Sequence, residues 1–323
     1  MPGSWLVRLT GLAVSFAILF LAGQILAEDK TVELLATKRV ALESGWRTVG
    51  VQRDAEGNYY VLNEADGVIW IYDKEFSTQG RIFIGGEAEG RSPRDFAVTR
   101  EGKIVVADWV GGGRVSVYDH NGSLVSSFPF PRPWSVATLS TGEILIAGFQ
   151  KGQLVSVVSQ EGTPLWTIGS LVPITEEPNR NAFLNVGRLA VDPQDNIYYG
   201  FSFLPEATIR KYSRHGDLLA ELRPQSERVR QMATMARQKL ESENSFGGSM
   251  IILALALDES TGSLWVCSAG QIFQIGPDGT TRKVYQFKMA PNRPVGAQGI
   301  LVENDRLIVT AQRYGVWLAP KPE

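Results

Sequence analysis

The residues of this chain best suited to chemistry are arginines set among aromatics. Arg91, Arg94, Arg132, Arg180, Arg188, Arg293 and Arg313 fall in or beside long irregular segments, interspersed with Trp109, Trp134, Phe149, Phe183, Phe201, Phe203 and Tyr314. A guanidinium grips a carboxylate or phosphate through two parallel hydrogen bonds and stacks on aromatic faces. Arginine with aromatics is also the composition of contact surfaces. The chemistry suggested is capture of an anionic or planar ligand. The candidate binding residues are Arg94, Asp95, Arg132, Trp134, Arg188, Arg313 and Tyr314. The competing role for the arginines is structural, through local pairing with Glu64, Asp66, Asp95, Asp108, Glu176, Glu177 and Glu206.

Other chemistries are poorly supplied. The two histidines, His120 and His215, fall in short turns on the side opposite these segments. A Ser-His-Asp triad or a histidine metal site is therefore not expected. The single cysteine, Cys267, sits mid-strand, which predicts a core residue and excludes an intrachain disulfide. The glycine-rich stretches 85–90 and 111–113 do not open a helix after a strand in the phosphate-binding manner, so they are expected to serve loop flexibility. No catalytic residue, no metal ligand and no cofactor is assigned.

The elements that must position the arginines come as a repeat. The clearest copy is Arg94-Asp-Phe-Ala-Val-Thr-Arg-Glu-Gly-Lys-Ile-Val-Val-Ala-Asp108 followed by Arg114-Val-Ser-Val-Tyr-Asp-His-Asn-Gly-Ser-Leu124. It predicts strand, turn, strand, loop, strand, turn, strand. First turns recur at Gly57, Gly102, Gly142, Asp195, Gly262 and Asp305. Gly, Asn and Asp tolerate the positive φ that tight hairpins require. Short apolar strands flank each turn: 49–52, 96–98, 135–138, 189–191, 253–257 and 300–302 before it, and matching runs after it. Six copies of four strands at a period of roughly 40–50 residues predict a six-bladed, all-β propeller. The sixth copy stops after its third strand, while 31–41 is a spare strand at the other end. The N-terminal strand is expected to complete the last blade and close the ring. The propeller then spans 31–319.

The phrase resembles that of NHL-type six-bladed propellers. Leu189-Ala-Val-Asp192 with Asn196-Ile-Tyr198, and Val106-Ala-Asp108 with Arg114-Val-Ser-Val-Tyr-Asp119, match the family pattern. The third copy lacks the Asp after its second strand, and the fifth and sixth lack the Arg that opens the third. The resemblance implies the fold; propellers of this kind host many functions. A second resemblance, to gluconolactonase-type propellers, implies a metal-dependent lactonase or hydrolase with an ion in the central channel. The corresponding column here is Gly50, Asp95, Ser135, Arg188, Ala254 and Gly299. One carboxylate facing one arginine suits an ion pair across the channel mouth better than a hard dication.

The two ends of such a ring differ. The tight-turn face carries mainly acidic residues, as suits turns and solubility. The other carries 85–93, 129–133, 168–187, 223–250 and 288–297 with the arginines, and binding residues concentrate on loops held by a rigid scaffold. Within 223–250, Ser226 before Glu227 and the spacing Val229, Met232, Met235, Ala236, Leu240 predict a helix over 226–243, inserted between blades four and five. It is expected either to lie flat on its own propeller or to present its Met-bearing stripe as a lid or partner site.

Composition sets the surroundings. The 323 residues are 44% hydrophobic and carry a net charge of -2, so no basic field for nucleic acid exists. Residues 9–27 are uncharged, follow Arg8 and precede Glu28-Asp29-Lys30. This pattern predicts an export signal over 1–27, or an uncleaved membrane anchor, with the propeller outside the cytoplasm in either case. The expected function is a periplasmic or secreted non-catalytic propeller binding a protein, peptide or glycan of the cell envelope. Its only contact with a membrane would be through residues 9–27, if that segment stays uncleaved.

Overall fold

Turn chemistry organises the chain as the repeat predicts. The Asp54 amide donates to the carbonyl of Asn58 and the Gly57 amide to that of Asp54, closing a three-residue hairpin loop whose last residue has φ 95°. Thr99 with Lys103, Leu139 with Glu143, and Asp192 with Asn196 repeat the pattern. In the last of these Asp195 takes the glycine position at φ 61°, a conformation that Asp tolerates better than most residues. The acidic turn residues work locally: Asp54 accepts from the Asn58 amide and Asp192 from the Asn196 amide, both at 2.8 Å.

The structure is a computed structural model and describes residues 31–41, 47–86, 90–241, 248–311 and 314–323. The segment 1–27 and Arg313 lie outside the described residues. Blade one is β3 (Thr48–Arg53), β4 (Tyr59–Asn63), β5 (Val68–Tyr72) and β6 (Thr78–Phe83). Blade two is β7 (Pro93–Val98), β8 (Ile104–Asp108), β9 (Arg114–Tyr118) and β10 (Leu124–Pro129). Blade three is β11 (Pro133–Thr138), β12 (Ile144–Gly148), β13 (Gln153–Val158) and β14 (Pro164–Ser170). Blade four is β15 (Gly187–Val191), β16 (Ile197–Phe201), β17 (Ile209–Tyr212) and β18 (Leu218–Leu222). Blade five is β19 (Ile252–Asp258), β20 (Ser263–Ser268), β21 (Gln271–Ile275) and β22 (Thr281–Ala290), with β23 (Arg293–Pro294) folded back on β22. Blade six is β24 (Gly299–Val302), β25 (Arg306–Ala311) and β26 (Gly315–Pro320). The innermost strands meet in a circle, each touching the next and β24 touching β3.

The N-terminal segment closes the ring, but it serves two blades rather than one. β2 (Lys38–Ala41) pairs antiparallel with β26 and becomes the fourth strand of blade six. β1 (Val32–Leu35) pairs parallel with β22 as an added outer strand of blade five. The Ala36 amide donates to Lys288 and the Thr37 amide to Leu318, so the chain passes from one sheet to the other without losing backbone bonds. Leu34 is buried in the cluster between the two blades.

Six hydrophobic clusters hold the described residues together, one at each junction between adjacent blades. Cys267 is buried in the junction of blades five and six, where burial pushes its thiol up to about 12. A seventh cluster sits on the loop-rich face around Trp134. Helix α2 (Glu227–Glu241) is capped by Ser226, whose Oγ accepts from the Val229 amide at 3.1 Å. Val229 and Ala236 pack into the junction of blades four and five, and Met235 is exposed. The helix therefore lies flat on its own propeller. A second helix, α1 (Pro178–Leu184), appears where the sequence predicts an irregular segment; Glu177 caps it, accepting from the Asn179 and Arg180 amides, and Pro178 opens it. Among the described residues no helix is long and apolar enough to cross a membrane.

Candidate functional site

The inner strands begin earlier than their sequence predicts, and that changes what carries the candidate residues. In β7, Pro93 pairs with Asp108 and Asp95 with Ala107, leaving Arg94 as the extra residue of a bulge. In β11, Pro133 pairs with Gly148 and Ser135 with Ala147, leaving Trp134 in the same role. A bulge re-aims one side chain without ending the strand. β15 has no register shift, and Arg188 faces Gly200. Arg94 and Trp134 therefore stand on strands rather than on the connections to which the sequence assigns them, and Arg188 lies near the start of its inner strand, where the column places it.

Register also fixes the central column. Gly50, Asp95, Ser135, Arg188, Ala254 and Gly299 pair with Leu62, Ala107, Ala147, Gly200, Cys267 and Thr310, the corresponding positions of the six second strands. Asp95 and Arg188 meet across the column, with Nη1 3.8 Å from Oδ2. The same Oδ2 accepts from Ser135 Oγ at 2.5 Å and from the Val136 amide at 3.2 Å, and Oδ1 accepts from the Phe96 amide at 3.0 Å. Arg188 Nη1 donates to the carbonyls of Arg94 (3.2 Å) and Trp134 (3.4 Å). Burial pushes the Asp95 carboxyl up despite the Arg188 charge and these hydrogen bonds. Burial also lowers Arg188, opposed by Asp95 and reinforced by the nearby Arg94.

Trp134 is the hub of the site. Its ring carries the guanidinium of Arg188 at 5.4 Å and that of Arg94 at 6.0 Å. Trp109 meets it edge-on at 5.4 Å, and Phe203 at 5.5 Å, with Phe183 stacked on Phe203. Leu184 of α1 and Leu240 of α2 join this cluster, and Arg180 ties the helices by donating to the Leu240 carbonyl at 2.8 Å. Arg94 Nη1 lies 3.3 Å from Glu64, which also accepts from Ser92 Oγ. Arg91 pairs with Asp108 at 2.7 Å. The local pairing foreseen for the arginines thus exists for Arg91, Arg94 and Arg188. It is incomplete: Arg94 Nε, Arg188 Nε and Trp134 Nε1 are buried and have no hydrogen-bond partner among the described residues. Leaving such a donor unpaired costs about 1–3 kcal/mol.

Arg132 differs from the others. Its guanidinium is exposed and lies 5.7 Å from the Trp109 ring and 5.6 Å from Phe149, with no acidic partner among the described residues. Its backbone is left-handed, φ 40°, a strained state for a long side chain. The glycine run holds it there: the Phe130 amide donates to Gly113 O and the Arg132 amide to Gly112 O, both at 3.2 Å. Gly113 serves close approach as well as its positive φ: a Cβ there would meet Phe130 O at 2.3 Å, whereas one on Gly111 or Gly112 would meet nothing within 4 Å. Tyr314 stands apart on blade six, beneath Arg293 at 5.0 Å. The candidate set therefore divides into Arg94, Asp95, Trp134 and Arg188 together, Arg132 one aromatic ring away, and Tyr314 elsewhere. Trp109, Phe149 and Glu64 complete the site; no local pattern singles them out from other loop aromatics and acids.

Other sites offer less. Among the described residues no group of three or more His, Cys, Asp or Glu could hold a metal ion. His120 and His215 are exposed in third-to-fourth strand turns. A crevice of about 90 Å³ between blades four and five is lined by Tyr198, Lys211, Leu222 and Asp278, away from the Trp134 cluster.

Six radial blades, five of four strands and one extended by β1 and β23, make this chain a six-bladed β-propeller. No family model matches it, and no curated protein does. Among solved structures it is similar to a streptogramin B lyase (TM-score 0.58, 11% identity, 88% of this chain and 87% of that one). It is also similar to virginiamycin B lyase from Staphylococcus aureus (TM-score 0.55, 9% identity, 90% and 99%). A protein of unknown function from Bacteroides caccae is a third (TM-score 0.53, 12% identity, 80% and 88%). At these identities the likeness is one of fold.

Proposed function

We propose that this chain is an exported, NHL-type binding propeller that captures a protein, peptide or glycan of the cell envelope on its loop-rich face, without catalysing a reaction. The observation that carries the reading is Arg132: a guanidinium fixed between Trp109 and Phe149 in a left-handed backbone, facing solvent, with no acidic partner among the described residues. Strain of this kind is retained where surrounding structure imposes it and function uses it. An arginine pre-positioned on aromatic walls loses little freedom on meeting an anion. The apolar stretch at 9–27 supports export.

The lyases of similar fold raise an enzymatic alternative. A catalytically inactive form of the Staphylococcus aureus enzyme, similar to this chain at TM-score 0.58 and 8% identity, differs by replacement of one histidine. Here both histidines occupy exposed turns remote from the Trp134 cluster. A metal-dependent lactonase would need several oxygens on one ion. The column supplies Asp95 alone, and Glu64 and Asp108 are engaged by Arg94 and Arg91.

The test is binding to arrays of acidic peptides and uronate- or sialate-bearing glycans, comparing the wild-type chain with Arg132→Ala. The expected result is a defined ligand whose affinity falls about tenfold or more in the variant, the share of a strong anchor residue, at unchanged melting temperature. Equal binding by both chains, or a lower melting temperature in the variant, would assign Arg132 to structure.

A further inference from the structure

The two arginines stacked on Trp134 are anchored alike. Arg188 uses Nη1 for the carbonyls of Arg94 and Trp134 and for Asp95, while Arg94 uses Nη1 for Glu64. In both, the opposite edge of the guanidinium, Nε with Nη2, has no partner among the described residues, and both Nε atoms are buried. That edge is the one whose two parallel N–H groups match the two oxygens of a carboxylate. Trp134, 8% exposed, adds a third unpaired donor, Nε1, on the ring that both arginines share.

We propose that Arg94, Arg188 and Trp134 form a carboxylate subsite at the mouth of the central channel, which receives a carboxylate of the ligand captured on this face. The proposal rests on the binding role assigned above and names the group that is recognised. Charge decides between oxyanions. Asp95 and Glu64 already face the two guanidiniums at 3.8 and 3.3 Å. A phosphate dianion would meet both carboxylates at close range, whereas a planar monoanion adds one charge and fills the open forks. It would also screen Arg94 and Arg188 from one another.

The test titrates the full ¹⁵N-labelled chain with sodium acetate, sodium phosphate and sodium chloride at constant ionic strength. It follows the arginine Nε–H and tryptophan Nε1–H resonances, assigned with Arg94→Lys, Arg188→Lys and Trp134→Phe. Acetate is expected to shift the Arg94, Arg188 and Trp134 signals saturably, with phosphate and chloride moving them far less. Arg94→Lys keeps the charge and loses the fork, and should weaken acetate binding about tenfold at unchanged melting temperature. Its partly exposed position keeps the test valid if Arg188→Lys fails to fold. Unmoved signals, equal response to phosphate or chloride, or wild-type affinity in Arg94→Lys would overturn the subsite. Arg132→Ala separates the two proposals. If it abolishes ligand capture but acetate still binds, both stand; if acetate binds and no ligand is ever captured, only the broader reading fails.

Discussion

Two carboxylates of this propeller, Asp258 buried and Asp95 partly so, reach opposite states for the same set of reasons. Asp258, 2% exposed, lies 3.0 Å from Lys321 Nζ and accepts from Ser260. Burial raises its carboxyl, but the hydrogen bonds from Ser260, Lys321 and Thr261 outweigh burial and leave it below the ordinary range. At Asp95 burial wins. A carboxyl whose folded value lies below its unfolded one stabilises fully above the unfolded value and loses that stability as pH falls through the folded value. Asp258→Asn should therefore cost about 1–3 kcal/mol at neutral pH, with the gap to wild type closing below roughly pH 4. Urea unfolding from pH 3 to pH 7 measures this; a gap independent of pH would remove the charge from the explanation. The turn at Asp258 is legible in the sequence. Its partner is not, because Lys321 stands 63 positions away and nothing local marks it.

Among the elements, the glycine run beside Trp109 shows how a loop can be more exacting than a strand. Gly111 and Gly113 both have positive φ, 67° and 94°, yet a Cβ on Gly111 would meet nothing within 4 Å while one on Gly113 would strike Phe130 O. Gly111→Ala should cost about 1–2 kcal/mol, the left-handed backbone alone. Gly113→Ala should cost several kcal/mol and displace Arg132, which thermal melts and ligand capture together would report. Equal melting temperatures for the two variants would mean the close approach relaxes freely. Strand starts carry a related lesson. Pro93, Pro133 and Gly187 resemble breakers, so the sequence starts the inner strands too late. Proline is tolerated at the first position of a strand and at bulges, and here the sheet runs through these residues to place Arg94, Trp134 and Arg188 on rigid backbone.

For the whole molecule the critical event is closure, and the strap from β1 to β2 performs it. Without β2, blade six has three strands and β26 becomes an open edge. Without β1, the junction of blades five and six loses Leu34, whose burial is worth about 1.5–3 kcal/mol. A chain starting at residue 42 should melt roughly 10 °C or more below one starting at Thr31 and self-associate through the open edge. Calorimetry with sedimentation decides it. Indistinguishable behaviour would show that the ring closes without the strap.

The amino-acid sequence alone determined the number of blades, the turns and the inserted helix, because each depends on residues within a few positions of one another: positive-φ glycines, alternating apolar strands, a capping serine. Tertiary structure decided which side chains meet. Asp95 faces Arg188, two arginines share Trp134, and one terminal segment divides between two sheets because six separate hairpins are brought to one axis. Bulges then rotate single residues within it. Contacts across that axis join positions tens of residues apart, and no local preference encodes them.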